Sequence, residues 1–266
     1  MEYSQLAERI LFADTLEGKY YFPEEGLAAL QDQNPGPPRP WSEPGRPPEL
    51  QIAPRKVRFK FPHPDNFGDP EMAIRALHTF ANHELMAIEL MAWALLAYPD
   101  APSQFRKGLV RLIRDEQRHL KLYADRIEEL GGQFGDLPVN DHFWRCAPEL
   151  TSPLKWVCAM NLTFEQGNLD HAPYFEEHFR RCGDEKTAQI LAQIYEDEIH
   201  HVGFGATWLN HYSGEEKSSF ATYLENLTFH NEPSRGRGDR FDEEARRRAG
   251  LDEAFIQGMV QQKGAP

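Results

Sequence analysis

Asp115-Glu116-Gln117-Arg118-His119 has a twin downstream in Asp197-Glu198-Ile199-His200-His201. Few folds suit such a pair. On a helix, residues three apart sit about 60° apart round the axis, so the Glu and His of each copy can face one point. Each copy follows a glutamate set in an apolar helical segment, Glu84 before the first and Glu165 before the second. Four carboxylates and two imidazoles carried by four helices form a ligand set for a carboxylate-bridged two-metal centre in an all-α, four-helix bundle. One Glu-x-x-His alone says little, because helices are rich in both residues. Two copies, each with an upstream core-facing Glu, say much more.

Segment lengths agree with this reading. Asp69 is a good N-cap and Pro70 a good first-turn residue. They open a helix predicted over 70–97, with Ile74, Leu77, Phe80, Ala81, Leu85, Ile88, Met91, Ala92 and Leu95 at helical spacing. A second helix runs from near Pro102 to about Leu130, where Gly131-Gly132 ends it. Glu84 then lies about 18 Å from its helix end and Glu116 about 21 Å from its helix start, so an antiparallel hairpin levels them. A third helix over 153–181, kinked or broken at Pro173, and a fourth over 184–211 repeat the match, at about 24 and 21 Å. The 131–152 connection is long for adjacent antiparallel helices. It must climb roughly 40 Å if helices two and three are parallel, which its length permits. Phe143 and Trp144 are expected to pin it down.

Outside these helices the chain reads as elaboration. Leu6, Ile10 and Leu11 form a short helical pattern. From 34 to 64 prolines dominate, which forbids regular helix and predicts an irregular strap, with Trp41, Val57, Phe59 and Phe61 available for burial. Downstream come an amphipathic segment from Phe220 to Phe229, a loop from Asn231 to Arg240 and a last helix over 241–260. Fraying is expected beyond Gln261. No low-complexity linker divides the chain. The expectation is one domain, with a core at about 70–212 and extensions at 1–69 and 213–266.

The formal net charge of -13 argues against a nucleic-acid partner. Cys146, Cys158 and Cys182 are odd in number and form no Cys-x-x-Cys pair, which favours a reducing compartment. No signal peptide is visible, and the most apolar stretch, Leu85 to Tyr98, still carries Glu89, so a cytoplasmic protein with no membrane association is expected.

Carboxylates with imidazoles suit iron or manganese. The chain resembles the ferritin-like superfamily of di-iron and iron–manganese carboxylate proteins over roughly 70–212. The likeness is carried by Glu84, Glu116 with His119, Glu165, and Glu198 with His201, in that order. Asp115 to His119 matches the Asp-Glu-x-Arg-His form of bacterial multicomponent monooxygenases; the second copy has His200 where Arg would stand. The whole chain, with Phe12-Ala13-Asp14-Thr15, the proline strap and an Arg/Gly-rich tail, looks most like a bacterial ferritin-like family without an assigned activity. The resemblance implies a four-helix bundle with a long crossover between helices two and three, and two metal ions per chain, Fe/Fe or Mn/Fe. It also implies Asp115 and Asp197 behind the metal-binding imidazoles, where a carboxylate fixes the tautomer. Relatives of the monooxygenase type often carry Thr one turn after the third-helix Glu; Leu169 stands there, a departure from the hydrocarbon-hydroxylating pattern.

The expected activity is that of a non-haem oxidase or oxygenase acting on a small organic substrate with dioxygen, served by an electron-transfer partner and possible as a homodimer. The alternatives are a ferroxidase, peroxidase or metal-handling protein, a tRNA-base hydroxylase, and a metal-free helical interaction protein. Tyr123 and Tyr195 are placed to line the site. Glu89 lies about 140° round the helix from Glu84 and competes poorly with it. His83 and His200 are expected to point elsewhere, and Asp170 and His171 are not expected to ligate metal. The arginines at 235, 237, 240 and 246–248 either hold an anionic substrate or pair with the chain's own carboxylates, the second being favoured.

Overall fold

The computed structural model describes residues 1–54, 56–57, 59–214, 218–228 and 231–262, in two compact units, Met1–Ala147 and Pro148–Pro266. The described residues are all-helical; the only strand-like pairings among them are two isolated bridges, Glu2 with Gln31 and Ile52 with Val139. No helix among them is long and apolar enough to cross a membrane.

The first unit opens with α1 (Tyr3–Leu11), which buries Leu6, Ile10 and Leu11, and the single turn α2 (Leu16–Lys19), capped by Thr15. The proline-rich stretch that follows is irregular, with short 3₁₀ turns at Gly26–Ala29, Pro48–Leu50 and Pro64–Asn66. Its anchors differ from those expected. Trp41 and Val57 stand 43% and 47% exposed, and Phe59 and Phe61 are only half-buried. The strap is instead fastened by Leu50 and by Arg46, whose guanidinium is drawn inward to a carboxylate on the next helix.

That helix, α3 (Pro70–Ala97), starts where Asp69 accepts a hydrogen bond from the Glu71 amide at 2.9 Å. From Leu85 to Leu96 every residue is buried, so its C-terminal half is core on all sides. α1 packs on it from one direction. α4 (Ser103–Glu129) packs from another along one apolar stripe that includes Phe105, Leu109, Ile113, Leu120 and Ile127. Gly131, at φ +95°, and the Gly132 amide bonding back to the Ile127 carbonyl close α4 in a left-handed cap. Beyond it Phe143 and Trp144 are buried, and the Trp144 indole N–H donates to Glu89 of α3 at 2.9 Å. The connection is thus held to α3 at Trp144.

The second unit begins with α5 (Pro153–Ala159), passes through a π-helical turn, Met160–Glu165, and continues as α6 (Gln166–Arg181). The predicted helix over 153–181 is therefore interrupted, but not at Pro173, which lies inside α6. α7 (Glu185–Tyr212), capped by Asp184, packs along α6. α8 (Ser219–Glu225) ends before the expected limit; Phe229 lies outside the described residues, as do 263–266, where fraying was expected. The single last helix expected over 241–260 is two, α9 (Glu243–Arg248) and α10 (Glu253–Val260). Gly250 at φ +83° and the Leu251 amide bonding to the Arg246 carbonyl end α9, and Asp252 caps α10 afresh.

Candidate metal centre

Each unit assembles one half of the ligand set. In the first, Glu84 projects from α3 and Glu116 with His119 from α4, and the three offer a carboxylate or imidazole atom each within 4.8 Å of one another. Glu116 and His119 are fully buried and Glu84 is 4% exposed. His119 Nδ1 lies 3.3 Å from Glu116 Oε2, as spacing three apart on a helix dictates. Leu85, Ile88 and Met91, further along α3, are fully buried.

The second unit repeats the arrangement. Glu165 closes the π turn, Glu198 and His201 stand on α7, and the three again offer atoms within 4.8 Å of one another, all buried. His201 Nδ1 lies 3.4 Å from Glu198 Oε2. Asn168, one turn into α6, donates to the other oxygen, Oε1 of Glu198, at 3.1 Å. Asn161 donates to the His201 carbonyl at 3.1 Å. α7 can approach this closely because of Gly205, where a Cβ would stand 2.6 Å from that of Asn161. Asn161 and Asn168 escaped the sequence reading, because their partners on α7 lie 40 and 30 residues away in the chain.

The other candidate residues meet partners of their own. Glu89 is fully buried but engaged elsewhere: Arg46 bonds both its oxygens at 2.6 and 2.9 Å, Lys19 lies at 3.1 Å and Trp144 donates to it. Asp115 is half-buried and pairs with Arg118 at 3.2 Å. Asp197 is also half-buried. Tyr123 is buried, its ring 5.6 Å from that of Phe80. The Tyr195 hydroxyl donates to Asp242 at 2.8 Å, and burial, then that bond, pushes its phenol up to about 12. His83 stacks on Phe143 and His200 is exposed.

The arginines of the tail face the chain's own acids. Arg246 grips both Asp170 oxygens at 2.9 Å with neither side chain exposed, Arg247 pairs with Glu243, Arg248 with Glu196 and Arg240 with Glu177. Arg237 donates to the carbonyls of Met259, Val260 and Gln262.

Each half is a fit for a hard or borderline cation. Two carboxylates and an imidazole, desolvated together, are the donors iron and manganese prefer, and burying such groups is costly unless they are bonded or bound to a cation. The family model described as "Protein of unknown function (DUF455)" matches residues 7–257 of the chain. No curated protein and no solved structure matches it.

Proposed function

The chain belongs to this family of unknown function (DUF455), and we propose from its own residues that it is a non-haem di-metal oxidase or oxygenase holding Fe/Fe or Mn/Fe. In this reading α3, α4, the α5–α6 rod and α7 form one ferritin-like four-helix bundle. The segment after α4 is its crossover, and residues 1–69 and 213–266 are extensions of that one domain. One observation carries it: two units, built from different stretches of chain, each gather a glutamate and a Glu-x-x-His pair into a buried cluster with the same donor set.

Glu84, Glu116 and His119 would hold one side of the metal pair and Glu165, Glu198 and His201 the other. When bound, redox-active metals with open positions supply dioxygen activation. The protein's part is to fix the donors and keep them dry. Spacing on α4 and α7 holds each imidazole beside its carboxylate. Asn168 orients Glu198 through one oxygen. The burial of all six ligand candidates keeps water from them. The substrate is a small organic molecule, and the chain's net charge of -13 weighs against a tRNA.

The test is elemental analysis of protein produced with both iron and manganese supplied. Two metal ions per chain are expected, with losses in Glu116→Gln and Glu198→Gln. A chain that takes up no metal, or zinc alone, overturns the proposal. Rapid oxidation of ferrous ion with no organic substrate consumed would move the reading to a ferroxidase.

A further inference from the structure

The π turn that ends on Glu165 is not held by its own helix alone. A π turn displaces main-chain carbonyls from their usual partners, and such turns persist where something else takes those bonds. Here the Gln166 amide N–H reaches back five residues to the Asn161 carbonyl. Thr163 Oγ1 donates to the Cys158 carbonyl at 2.7 Å, and the Gln166 side-chain amide donates to the Leu162 carbonyl at 3.2 Å.

Both side chains are themselves gripped by the C-terminal extension. The Tyr223 hydroxyl of α8 lies 2.9 Å from Thr163 Oγ1. Thr163 spends its one proton on Cys158, so Tyr223 is the donor of this pair. Gln166 gives its second amide proton to the Gly236 carbonyl at 3.0 Å, and Arg246 donates to that same carbonyl at 3.0 Å. A Cβ at Gly236 would stand 2.8 Å from Gln166 Nε2 and 3.1 Å from the Leu162 carbonyl oxygen, so a side chain there would push on the Gln166 amide. Tyr223, Thr163, Gln166 and Arg246 are buried.

We propose that the C-terminal extension is a clamp on the π turn, in which Tyr223 and Thr163 are positioning residues that set where Glu165 stands. The assignment rests on the metal reading above, because Glu165 needs placing only if it binds something. It gives the tail a task distinct from holding an anion: its polar atoms are used to hold open a wide helical turn. Burial pushes the Tyr223 phenol up, so it stays a donor throughout the physiological range.

The experiment compares Tyr223→Phe, Thr163→Val and Thr163→Ser with wild type, each as the full chain. Manganese(II) is titrated into metal-free protein and followed by its electron paramagnetic resonance signal, and amide hydrogen exchange is recorded over 158–166 without metal. The clamp predicts about tenfold weaker manganese binding in Tyr223→Phe and Thr163→Val, the size of effect seen when the partner of a metal ligand is lost. It also predicts faster exchange across the turn, and Thr163→Ser restoring both. If Tyr223→Phe does not fold, the valine and serine pair decides the matter, since only the hydroxyl differs in role. Wild-type affinity and exchange in Thr163→Val would overturn the clamp and leave the metal reading standing. Faster exchange in Thr163→Val with no manganese bound even by wild type would overturn the metal reading and, with it, the role given to Glu165.

Discussion

Lys19 Nζ and the Glu89 carboxylate meet at 3.1 Å with neither side chain open to water. Arg46 binds the same carboxylate through two nitrogens, so one anion on α3 is shared by two cations from the N-terminal segment. Burial on its own would raise the Glu89 carboxyl, but Arg46 and Lys19, with the Trp144 indole, hold it below the ordinary value of 4.5. Breaking a buried pair by removing one partner costs about 3–5 kcal/mol. Glu89→Gln, which leaves two buried cations facing an amide, is expected to lose that much in urea unfolding. The contribution is present above the ordinary carboxylate value and disappears as pH falls through the lower folded one.

His78 makes a second acid-sensitive point. Its Nε2 accepts the amides of Gly135 and Leu137 at 3.1 and 3.3 Å, a role open only to the neutral ring. Burial lowers it from 6.5 to about 4. The unfolded chain therefore takes up a proton between those values while the folded one does not, and stability falls as pH drops from 6.5 towards 4. The loss approaches about 3 kcal/mol over the window, at 1.36 kcal/mol per unit. His78→Gln should flatten the pH dependence of the unfolding midpoint in that range and leave neutral-pH slopes unchanged.

Metal binding to the folded chain alone must stabilise it. At a free concentration of one hundred times the dissociation constant the gain is about 2.7 kcal/mol. Manganese or ferrous ion should raise the thermal midpoint of wild type, a chelator should reverse the rise, and Glu84→Gln with Glu165→Gln should abolish it. An unchanged midpoint at saturating manganese would count against the site.

Gly205 offers a test by sign. Alanine for glycine within a helix ordinarily gains about 1 kcal/mol. At this position the new methyl would stand 2.6 Å from Asn161 Cβ and 2.9 Å from Leu162 Cδ2. Overpacking of that kind costs about 1–3 kcal/mol. Gly205→Ala is expected to lower the thermal midpoint despite better helix propensity, and a rise would show that α7 and the π turn are free to part.

The long helices were legible because their signals are local. Asp69-Pro70, Gly131-Gly132 and Asp184 mark ends by chain chemistry alone, and apolar spacing does the rest. The proximity of Glu84 to Glu116 and of Glu165 to Glu198 within each unit follows from helix rise and turn placement. What escaped was set by distant partners. Lys19 ends the single turn α2 and Arg46 lies in irregular chain, and nothing near either in sequence announces Glu89. The π turn keeps an apolar pattern much like that of an ordinary helix, and the side chains that bond its carbonyls are themselves held by Tyr223 and Gly236. Gly250 sat inside a helical pattern that its positive φ divides. Hydrophobicity alone points to Trp41 and Val57 as anchors, whereas the strap is held by the buried Leu50 and the Arg46–Glu89 ion pair.

Asp170 receives Arg246 through both oxygens and also the main-chain amides of Gly238 and Asp242, at 2.8 and 2.7 Å. Four donors from the last part of the chain thus converge on one socket in α6. A shortened version ending before Gly238 would strand the buried Asp170 carboxylate without these four donors. Trimming the C-terminus should therefore yield an insoluble product rather than a leaner protein.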